Sequence, residues 1–202
     1  MRRKLQVTVF DYGAGNLHSL IKALASPDVV VRVETDAAVA IETDALVLPG
    51  VGAFSTAAQR LAPARDSIRD AVARGLPCLG ICLGMQLFFQ ESEEGPGAGL
   101  GVVSGRVTRL RAARVPHIGW NTVTEQTDPT LAAAGLTDTY YAHSYVCRPD
   151  SLDNVTAWTS VEADRFPAAI RWRNTVGVQF HPEKSSAAGV RFLRAFVDGV
   201  RR

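Results

Sequence analysis

The sequence has few cysteines, few histidines and little net charge, and each shortage excludes a class of protein. The three cysteines, Cys78, Cys82 and Cys147, are an odd number without the density or spacing of a disulfide scaffold, which indicates a reducing compartment. The four histidines lack the spacing of metal ligands, so we predict no metal cofactor. A formal charge of +2 is too small to indicate nucleic acid or an anionic membrane as a partner.

Long apolar runs are also absent. The basic start would suit a signal peptide, but the apolar run from Leu5 to Phe10 ends at Asp11 and is too short for one. No other run reaches membrane-spanning length, so we expect a cytoplasmic protein. A length of 202 residues suits one domain over residues 1–202, and we find no internal repeat, low-complexity tract or linker within it.

The first half alternates short apolar strands with helical patterns, which is typical of a parallel sheet covered by helices on both faces. Strands are predicted at 5–10, 28–33, 45–48 and before Cys82, and Pro63 should interrupt a helix over 55–74. After Arg106 the strands follow one another closely, which predicts an antiparallel extension or a second strand layer. An amphipathic helix over 186–200 closes the chain.

Glycines follow the first strand at Gly13 and Gly15, as they do in dinucleotide-binding folds. The third glycine of that fingerprint is missing, because His18 stands in its place. We therefore exclude a dinucleotide cofactor, and we predict no cofactor of any kind.

Cys82 stands at the centre of Gly80-Ile81-Cys82-Leu83-Gly84, between an apolar strand and a helical pattern. A nucleophile elbow has this layout, because small residues on either side let the strand and the helix approach closely. A cysteine at a helix N-terminus is favoured as the thiolate, and the N–H of Leu83 would face a developing oxyanion. The alternative is a buried structural cysteine in a glycine-rich turn.

His181 and Glu183 directly follow a predicted strand over 176–180. Residues two apart in an extended chain project to one side, so the two side chains would supply a base and the group that orients it. The alternative is an ordinary surface turn. Gly50-Val51-Gly52 follows another parallel strand and would offer a second backbone N–H to an oxyanion, or would be a simple strand-to-helix turn.

These motifs resemble those of the class I (triad) glutamine amidotransferases. Gly80 to Gln86 is similar to the nucleophile motif of that family, and Gly177 to Glu183 is similar to its histidine and glutamate motif. Three further stretches resemble the glutaminase subunits of imidazole glycerol phosphate synthases: residues 11–17, 116–121 and 140–145.

The resemblance implies an α/β flavodoxin-like three-layer sandwich, with a mostly parallel central sheet and an antiparallel extension in the C-terminal half. It implies that Cys82 attacks the amide of L-glutamine to form a glutamyl thioester, that His181 is the acid and base, and that Glu183 orients His181. The implied oxyanion donors are Val51, Gly52 and Leu83, on a turn that must rearrange to become competent. The implied substrate-binding residues are Gly50, Gln86, Glu94, Ser144 and Tyr145.

A carboxylate at Glu94 can pair with the ammonium group of the substrate, although an exposed acidic loop is the alternative. The resemblance also implies a heterodimer with a separate (βα)₈-barrel cyclase subunit, which receives ammonia through a tunnel in histidine biosynthesis. Candidate interface residues, which would otherwise be core or rim residues, are Asn16, Trp120, Tyr140 and Lys184.

Other interpretations remain open from the sequence. The same glutaminase chemistry serves anthranilate, guanylate, carbamoyl phosphate and pyridoxal phosphate synthesis, although the three additional stretches argue against those acceptors. A catalytically silent subunit with this fold would have no need of Cys82, His181 and Glu183 together. A cysteine peptidase is the least favoured interpretation, because nothing in the sequence indicates a peptide groove.

Overall fold

The computed structural model describes residues 3–13 and 17–201. In its first half, strands and helices alternate as the apolar pattern predicts. The elements in order are β1 (Leu5–Phe10), α1 (His18–Leu24), β2 (Val29–Glu34), α2 (Ala37–Ala40), β3 (Ala45–Leu48), α3 (Phe54–Leu61), α4 (Arg65–Ala73), β4 (Cys78–Ile81) and α5 (Leu83–Gln86). As predicted, the helical segment around Pro63 is interrupted, by a 3₁₀ turn at Ala62–Ala64 that separates α3 from α4.

The second half consists mainly of strands. They are β5 (Glu91–Ser92), β6 (Gly105–Arg109), β7 (His117–Thr122), β8 (Asp138–His143), β9 (Tyr145–Pro149), β10 (Val155–Val161), β11 (Asp164–Trp172) and β12 (Thr175–Val178). The helices here are α6 (Pro129–Ala134) and α7 (Ser186–Val200), with 3₁₀ turns at Leu152–Asn154 and Pro182–Lys184.

The central sheet has seven strands in the order β10-β11-β12-β4-β3-β1-β2. The five strands from β12 to β2 are parallel, while β10 and β11 are antiparallel additions at one edge. Strand order 2-1-3-4 followed by one later strand is the flavodoxin-like arrangement. The predicted fold class is therefore confirmed, including the antiparallel extension.

Two apolar clusters cover the two faces of this sheet. Alternate residues of β3 enter different clusters, Ala45 and Val47 on one face, Leu46 and Leu48 on the other, because successive strand residues point to opposite sides. Helices α1 and α7 pack in the first cluster, and α3, α4 and α5 in the second. Open α/β sheets bind their ligands at the carboxyl ends of the parallel strands.

Two local features differ from the sequence-based expectation. The helix after Cys82 has only four residues, Leu83–Gln86, although the apolar run continues to Phe89. Residues 117–122, noted in the sequence only as a motif, form strand β7, which pairs with β8 outside the central sheet. This two-stranded ribbon brings the 116–121 and 140–145 stretches side by side.

None of the helices within residues 3–13 and 17–201 has the length and apolar character required to cross a bilayer. The same residues hold no group of three or more His, Cys, Asp or Glu side chains arranged to bind a metal ion.

Candidate active site

Cys82 lies at a sharp turn between β4 and α5. Its backbone has φ 48° and ψ −101°, a conformation that is strained for any residue with a side chain. The N–H of Cys82 donates to the carbonyl of Val178 at 2.7 Å, which fixes the turn to the end of the neighbouring parallel strand β12. The side chain is held at the carboxyl edge of the sheet in a fixed place, as an elbow requires.

The glycines on both sides of Cys82 are required by close backbone contacts. A Cβ atom on Gly80 would lie 2.6 Å from the backbone of Gly84, and a Cβ on Gly84 would lie 2.0 Å from the carbonyl oxygen of Leu48. Neither position has room for a methyl group unless β3, β4 and α5 separate. The sequence-based reason for these glycines, close approach of strand and helix, therefore matches the geometry.

His181 and Glu183 reach the same edge of the sheet. Strand β12 pairs with β4 in the register Val178 with Ile81, so the chain leaves β12 next to Cys82. His181 Nδ1 and Glu183 Oε1 are 2.8 Å apart. Glu183 reaches the ring from the 3₁₀ turn Pro182–Lys184 and not from an extended segment, so the two-residue alternation is not what joins this pair.

The electrostatics of His181 favour its protonated form. Its ring is fully buried, and burial alone would lower the pKa. The nearby Cys82 sulfur and the Glu183 carboxylate outweigh this and raise the pKa of His181 to about 10. The ring is paired with the Glu183 carboxylate at Nδ1, while its buried Nε2 has no hydrogen-bond partner among the described residues. A cationic imidazole near a cysteine sulfur is typical of an activated nucleophile. The ring also lies close to Gly50, where a Cβ atom would be 2.9 Å from His181 Cε1.

A cavity of about 280 Å³ opens over Cys82. Its wall includes every predicted oxyanion and substrate-binding residue together with the nucleophile: Gly50, Val51, Gly52, Cys82, Leu83, Gln86, Glu94, Ser144 and Tyr145. Pro116, Ile118, Ala142 and His143 complete the wall. His181 and Glu183 are not part of this wall.

Two of the cavity residues also make structural hydrogen bonds. Gln86 Nε2 donates to the carbonyl of Tyr145 at 2.9 Å, which ties helix α5 to the start of β9. Glu94 Oε2 accepts from the N–H of Phe54 at 2.9 Å, at the first residue of α3. Glu94 thus accepts a hydrogen bond from the N-terminus of α3 and also presents a carboxylate to the cavity. The sequence position of Glu94 does not indicate the first of these roles.

Two neighbours of Cys82 were not selected from the sequence. Gln179 is fully buried, and its Nε2 lies 3.4 Å from Cys82 Sγ. His143 lines the cavity, and since a carbonyl only accepts, its Nδ1 donates to the carbonyl of Tyr145 at 3.1 Å. The sequence signal for Gln179 is its position directly after a strand whose carboxyl end lies beside the Cys82 turn.

His143 and His117 form a pair across the β7–β8 ribbon, with His117 Nδ1 and His143 Nε2 3.3 Å apart. Burial, together with the proximity of His117, lowers the pKa of His143 to about 3. Burial also lowers the pKa of His117. Both rings are therefore neutral near pH 7, and they support the cavity wall as hydrogen-bonding groups.

The predicted interface residues lie beside the cavity, with one exception. Asn16 falls outside the described residues. Trp120 is 54% exposed and contacts the ring of Tyr140 edge-on, with 6.1 Å between centroids. Lys184 Nζ lies 5.9 Å from the centroid of the Tyr140 ring. Trp120, Tyr140 and Lys184, together with the exposed Ile118 of the cavity wall, form what we call the aromatic patch.

Comparison with known proteins decides the family. The family model described as glutamine amidotransferase class-I matches residues 8–199. The chain belongs to the class-I glutamine amidotransferases. This confirms the resemblance inferred from the motifs, and it identifies the chain as a glutamine-hydrolysing enzyme of that family.

Curated relatives of this amidotransferase extend over nearly its full length. A protein of Halobacterium salinarum named imidazole glycerol phosphate synthase subunit HisH is 40% identical over 207 residues, covering 98% of this chain and 94% of its own. A protein of Pyrococcus furiosus with the same name is 42% identical, covering 95% and 97%. A protein of Symbiobacterium thermophilum, again with this name, is 43% identical, covering 93% and 91%.

Solved structures support the fold. A structure titled as a glutamine amidotransferase superposes with a TM-score of 0.76 at 20% identity, covering 97% of this chain and 99% of its own. A glutamine amidotransferase from Thermotoga maritima superposes with a TM-score of 0.66 at 18% identity, covering 99% and 85%.

Proposed function

We propose that this chain is the glutaminase subunit of an imidazole glycerol phosphate synthase in histidine biosynthesis, and that Cys82, His181 and Glu183 are its catalytic triad. Relatives of that name at about 40% identity over nearly the whole chain support the first part. The observation that carries the second is a strained cysteine that lines a cavity, with a paired imidazole and carboxylate near it. Residues 1–202 would act as one amidotransferase domain.

The reaction divides into two steps at Cys82. The thiolate attacks the side-chain amide carbon of glutamine, and His181 gives its proton to the departing nitrogen, so that ammonia leaves and a glutamyl thioester remains. His181, now neutral, takes a proton from water, which attacks the thioester and releases glutamate. Glu183 holds the ring and stabilises its cationic form throughout.

The tetrahedral intermediate of each step carries a negative oxygen. Leu83, the first residue after Cys82, and the turn Val51–Gly52 both line the cavity beside the sulfur, and their N–H groups are our proposed donors to that oxygen. Gly50, Gln86, Glu94, Ser144 and Tyr145 would hold the rest of the glutamine, with the Glu94 carboxylate facing its ammonium group.

Labelling with diazo-oxonorleucine, an electrophile shaped like glutamine, tests the assignment of the nucleophile. We expect one label on the Cys82 peptide of the wild-type chain and none in Cys82→Ala. The buried and free Cys147 provides the control, because Cys147→Ala should keep the label. Labelling of Cys82→Ala to the wild-type extent would overturn the assignment.

We further propose that the partner is a (βα)₈-barrel cyclase subunit, bound in a heterodimer at the aromatic patch. Ammonia is largely protonated in neutral water and is then no longer a nucleophile, so it must pass to its acceptor by a protected route. Ile118 and Trp120 are 63% and 54% exposed, and Ile118 belongs to the cavity wall, so a protein covering the patch would also cover the cavity mouth. Tyr and Trp are common anchors of such interfaces.

A short chain of hydrogen bonds supports coupling between this patch and the triad. The N–H of His181 donates to the carbonyl of Tyr140 at 2.8 Å, and the N–H of Tyr140 donates to Ser185 Oγ at 2.9 Å. Ser185 Oγ in turn donates to the carbonyl of His181 at 2.7 Å. We infer that docking acts on the triad through these bonds, and that the isolated subunit hydrolyses glutamine slowly until the cyclase and its nucleotide are bound.

Co-purification with the cyclase and a glutamine-dependent synthase assay test both proposals. Trp120→Asp should abolish co-purification, whereas Leu152→Asp, which changes an equally exposed apolar residue elsewhere, should leave it intact. Equal glutaminase rates with and without the cyclase and its nucleotide would defeat the coupling.

The three cysteines are all free, and this supports the reducing cytoplasm as the compartment.

A further inference from the structure

Among the described residues, the side-chain amide of Gln179 makes one hydrogen bond, and that bond goes to the nucleophile. The residue follows β12 and is fully buried. Its Nε2 lies 3.4 Å from Cys82 Sγ, within the distance of an N–H···S hydrogen bond. Its Oε1 is buried and has no hydrogen-bond partner among the described residues.

Packing does not account for an amide at this position. A buried carbonyl without a partner destabilises the folded state, and an apolar side chain of the same shape would remove that cost. Methionine has nearly the same length and volume and carries no polar group that requires a partner. The amide therefore lowers stability, and what it supplies in return is one N–H directed at sulfur.

Apart from the cationic His181 ring, the described surroundings of Cys82 offer its thiolate little stabilisation. Helix α5 is a single turn, so its dipole contributes less to a thiolate than a long helix would. The carbonyl of Ala142 lies 3.9 Å from the sulfur, where it accepts from a thiol and repels a thiolate. The Gln179 amide is nearer, and because a thiolate only accepts hydrogen bonds, the N–H end of the amide favours the ionised form.

We propose that Gln179 is a catalytic residue, whose side-chain amide donates to the Cys82 thiolate and so keeps the nucleophile ionised. This rests on the function proposed above, in which Cys82 attacks glutamine. In the resting enzyme the amide and the His181 ring then act on the same sulfur, and in the thioester the amide loses its charged partner. Gln179 thus stabilises the attacking and departing thiolate, and not the acyl intermediate.

The test compares the reactivity of Cys82 with the stability of the chain in two variants of the full 202-residue protein. Gln179→Met keeps the shape and removes both the donor and the unpartnered carbonyl. Gln179→Asn keeps an amide but withdraws it from the sulfur by one methylene. The rate of alkylation by iodoacetamide is followed against pH by mass spectrometry of the Cys82 peptide, because thiolate and not thiol reacts. Burial raises the pKa of both Cys78 and Cys147, which keeps these two thiols unreactive.

We expect both variants to move the midpoint of the alkylation profile upward by about one pH unit, which is roughly a tenfold loss of rate on the acid side. The melting temperature of Gln179→Met should equal or exceed that of the wild type, and that of Gln179→Asn should lie below it. A purely structural role predicts instead that reactivity follows stability. The titratable groups that interact with Cys82, namely His181, Tyr12 and Cys147, are unchanged in both variants.

Thr175→Val is the matched control. It removes a different buried and unpartnered polar group, at the opposite end of β12 from Gln179, and it should leave the profile unchanged. An unshifted midpoint in both Gln179 variants, or an equal shift in Thr175→Val, would overturn the proposal. Absence of glutaminase activity in the wild-type complex would refute the proposed function. Because alkylation requires no glutamine, the alkylation profile would still decide the role of the Gln179 amide.

Discussion

Replacing Gly84 by alanine should damage stability and activity together, because that glycine sets the separation of three backbone segments. The new Cβ would lie 2.0 Å from the carbonyl oxygen of Leu48 and 2.7 Å from its carbonyl carbon. Contacts of a real Cβ essentially never fall below 3.0 Å, so α5 must move away from β3 by about 1 Å. The atoms in the way belong to the backbone of Leu48, which cannot relieve the clash by changing a side-chain rotamer. We expect a loss at the upper end of the overpacking range, about 3 kcal/mol.

The same displacement moves Cys82, which directly precedes α5. A misplacement of about 1 Å lowers catalytic rates by roughly a hundredfold, so the glutaminase rate of the variant should fall by that factor under conditions where it is still folded. Urea unfolding gives the first quantity, and glutamate release in the presence of the cyclase gives the second.

Gly199→Ala is the control, because that glycine lies in helix α7 with nothing within 4 Å of a new Cβ. It should gain up to about 1 kcal/mol from helix propensity and keep its activity. A Gly84→Ala protein that unfolds within about 0.5 kcal/mol of wild type and hydrolyses glutamine at the wild-type rate would show that the close approach at the elbow is not required.

Three other changes test separate parts of the structure. Glu94→Gln keeps an acceptor for the start of α3 but removes the charge facing the cavity. The KM for glutamine should therefore rise about tenfold or more while kcat changes little. Glu93→Gln, outside the cavity, is the control and should change neither KM nor kcat. Glu183→Gln should lower kcat by about a hundredfold or more, because the amide cannot stabilise the cationic ring of His181, and a wild-type kcat would contradict its role. Burial of Asp128 raises the pKa of its carboxyl group, but hydrogen bonds and charge from Arg171 lower that pKa by more. The ionised Asp128 therefore stabilises the fold fully above the pKa of the unfolded chain. This stabilisation is lost as pH falls through the lower pKa of the folded state. Asp128→Asn should therefore cost about 2–3 kcal/mol at neutral pH and progressively less in acid, and a pH-independent cost in urea unfolding would contradict this.

The strand pattern was sufficient to predict the parallel sheet and its antiparallel extension, and the glycines around Cys82 were sufficient to predict a sharp turn at the edge of that sheet. Those predictions succeed because parallel strands end at the same edge, and because glycines on both sides of a cysteine between strand and helix are typical of a nucleophile elbow. The interruption at Pro63 was also predicted, since proline removes a backbone donor.

Tertiary contacts determine the features that the sequence did not predict. Glu183 meets His181 through a 3₁₀ turn, and no local pattern distinguishes that turn from an extended chain. The helix after Cys82 stops at Gln86 although the apolar run continues, because the carbonyls of Leu87 and Phe88 accept from the backbone N–H groups of residues 100, 102 and 103 in place of a further helical turn. Gln179 reaches the sulfur only because β12 lies beside β4, a pairing between residues about a hundred positions apart.

The most direct test of the triad is to trap the covalent intermediate. The complex of this chain with its cyclase is mixed with isotopically labelled glutamine, quenched in acid during turnover and digested for mass spectrometry. We predict a glutamyl adduct on the Cys82 peptide of the wild-type complex and none in Cys82→Ala. Steady glutamine hydrolysis by Cys82→Ala, or an adduct on any other residue, would contradict the account.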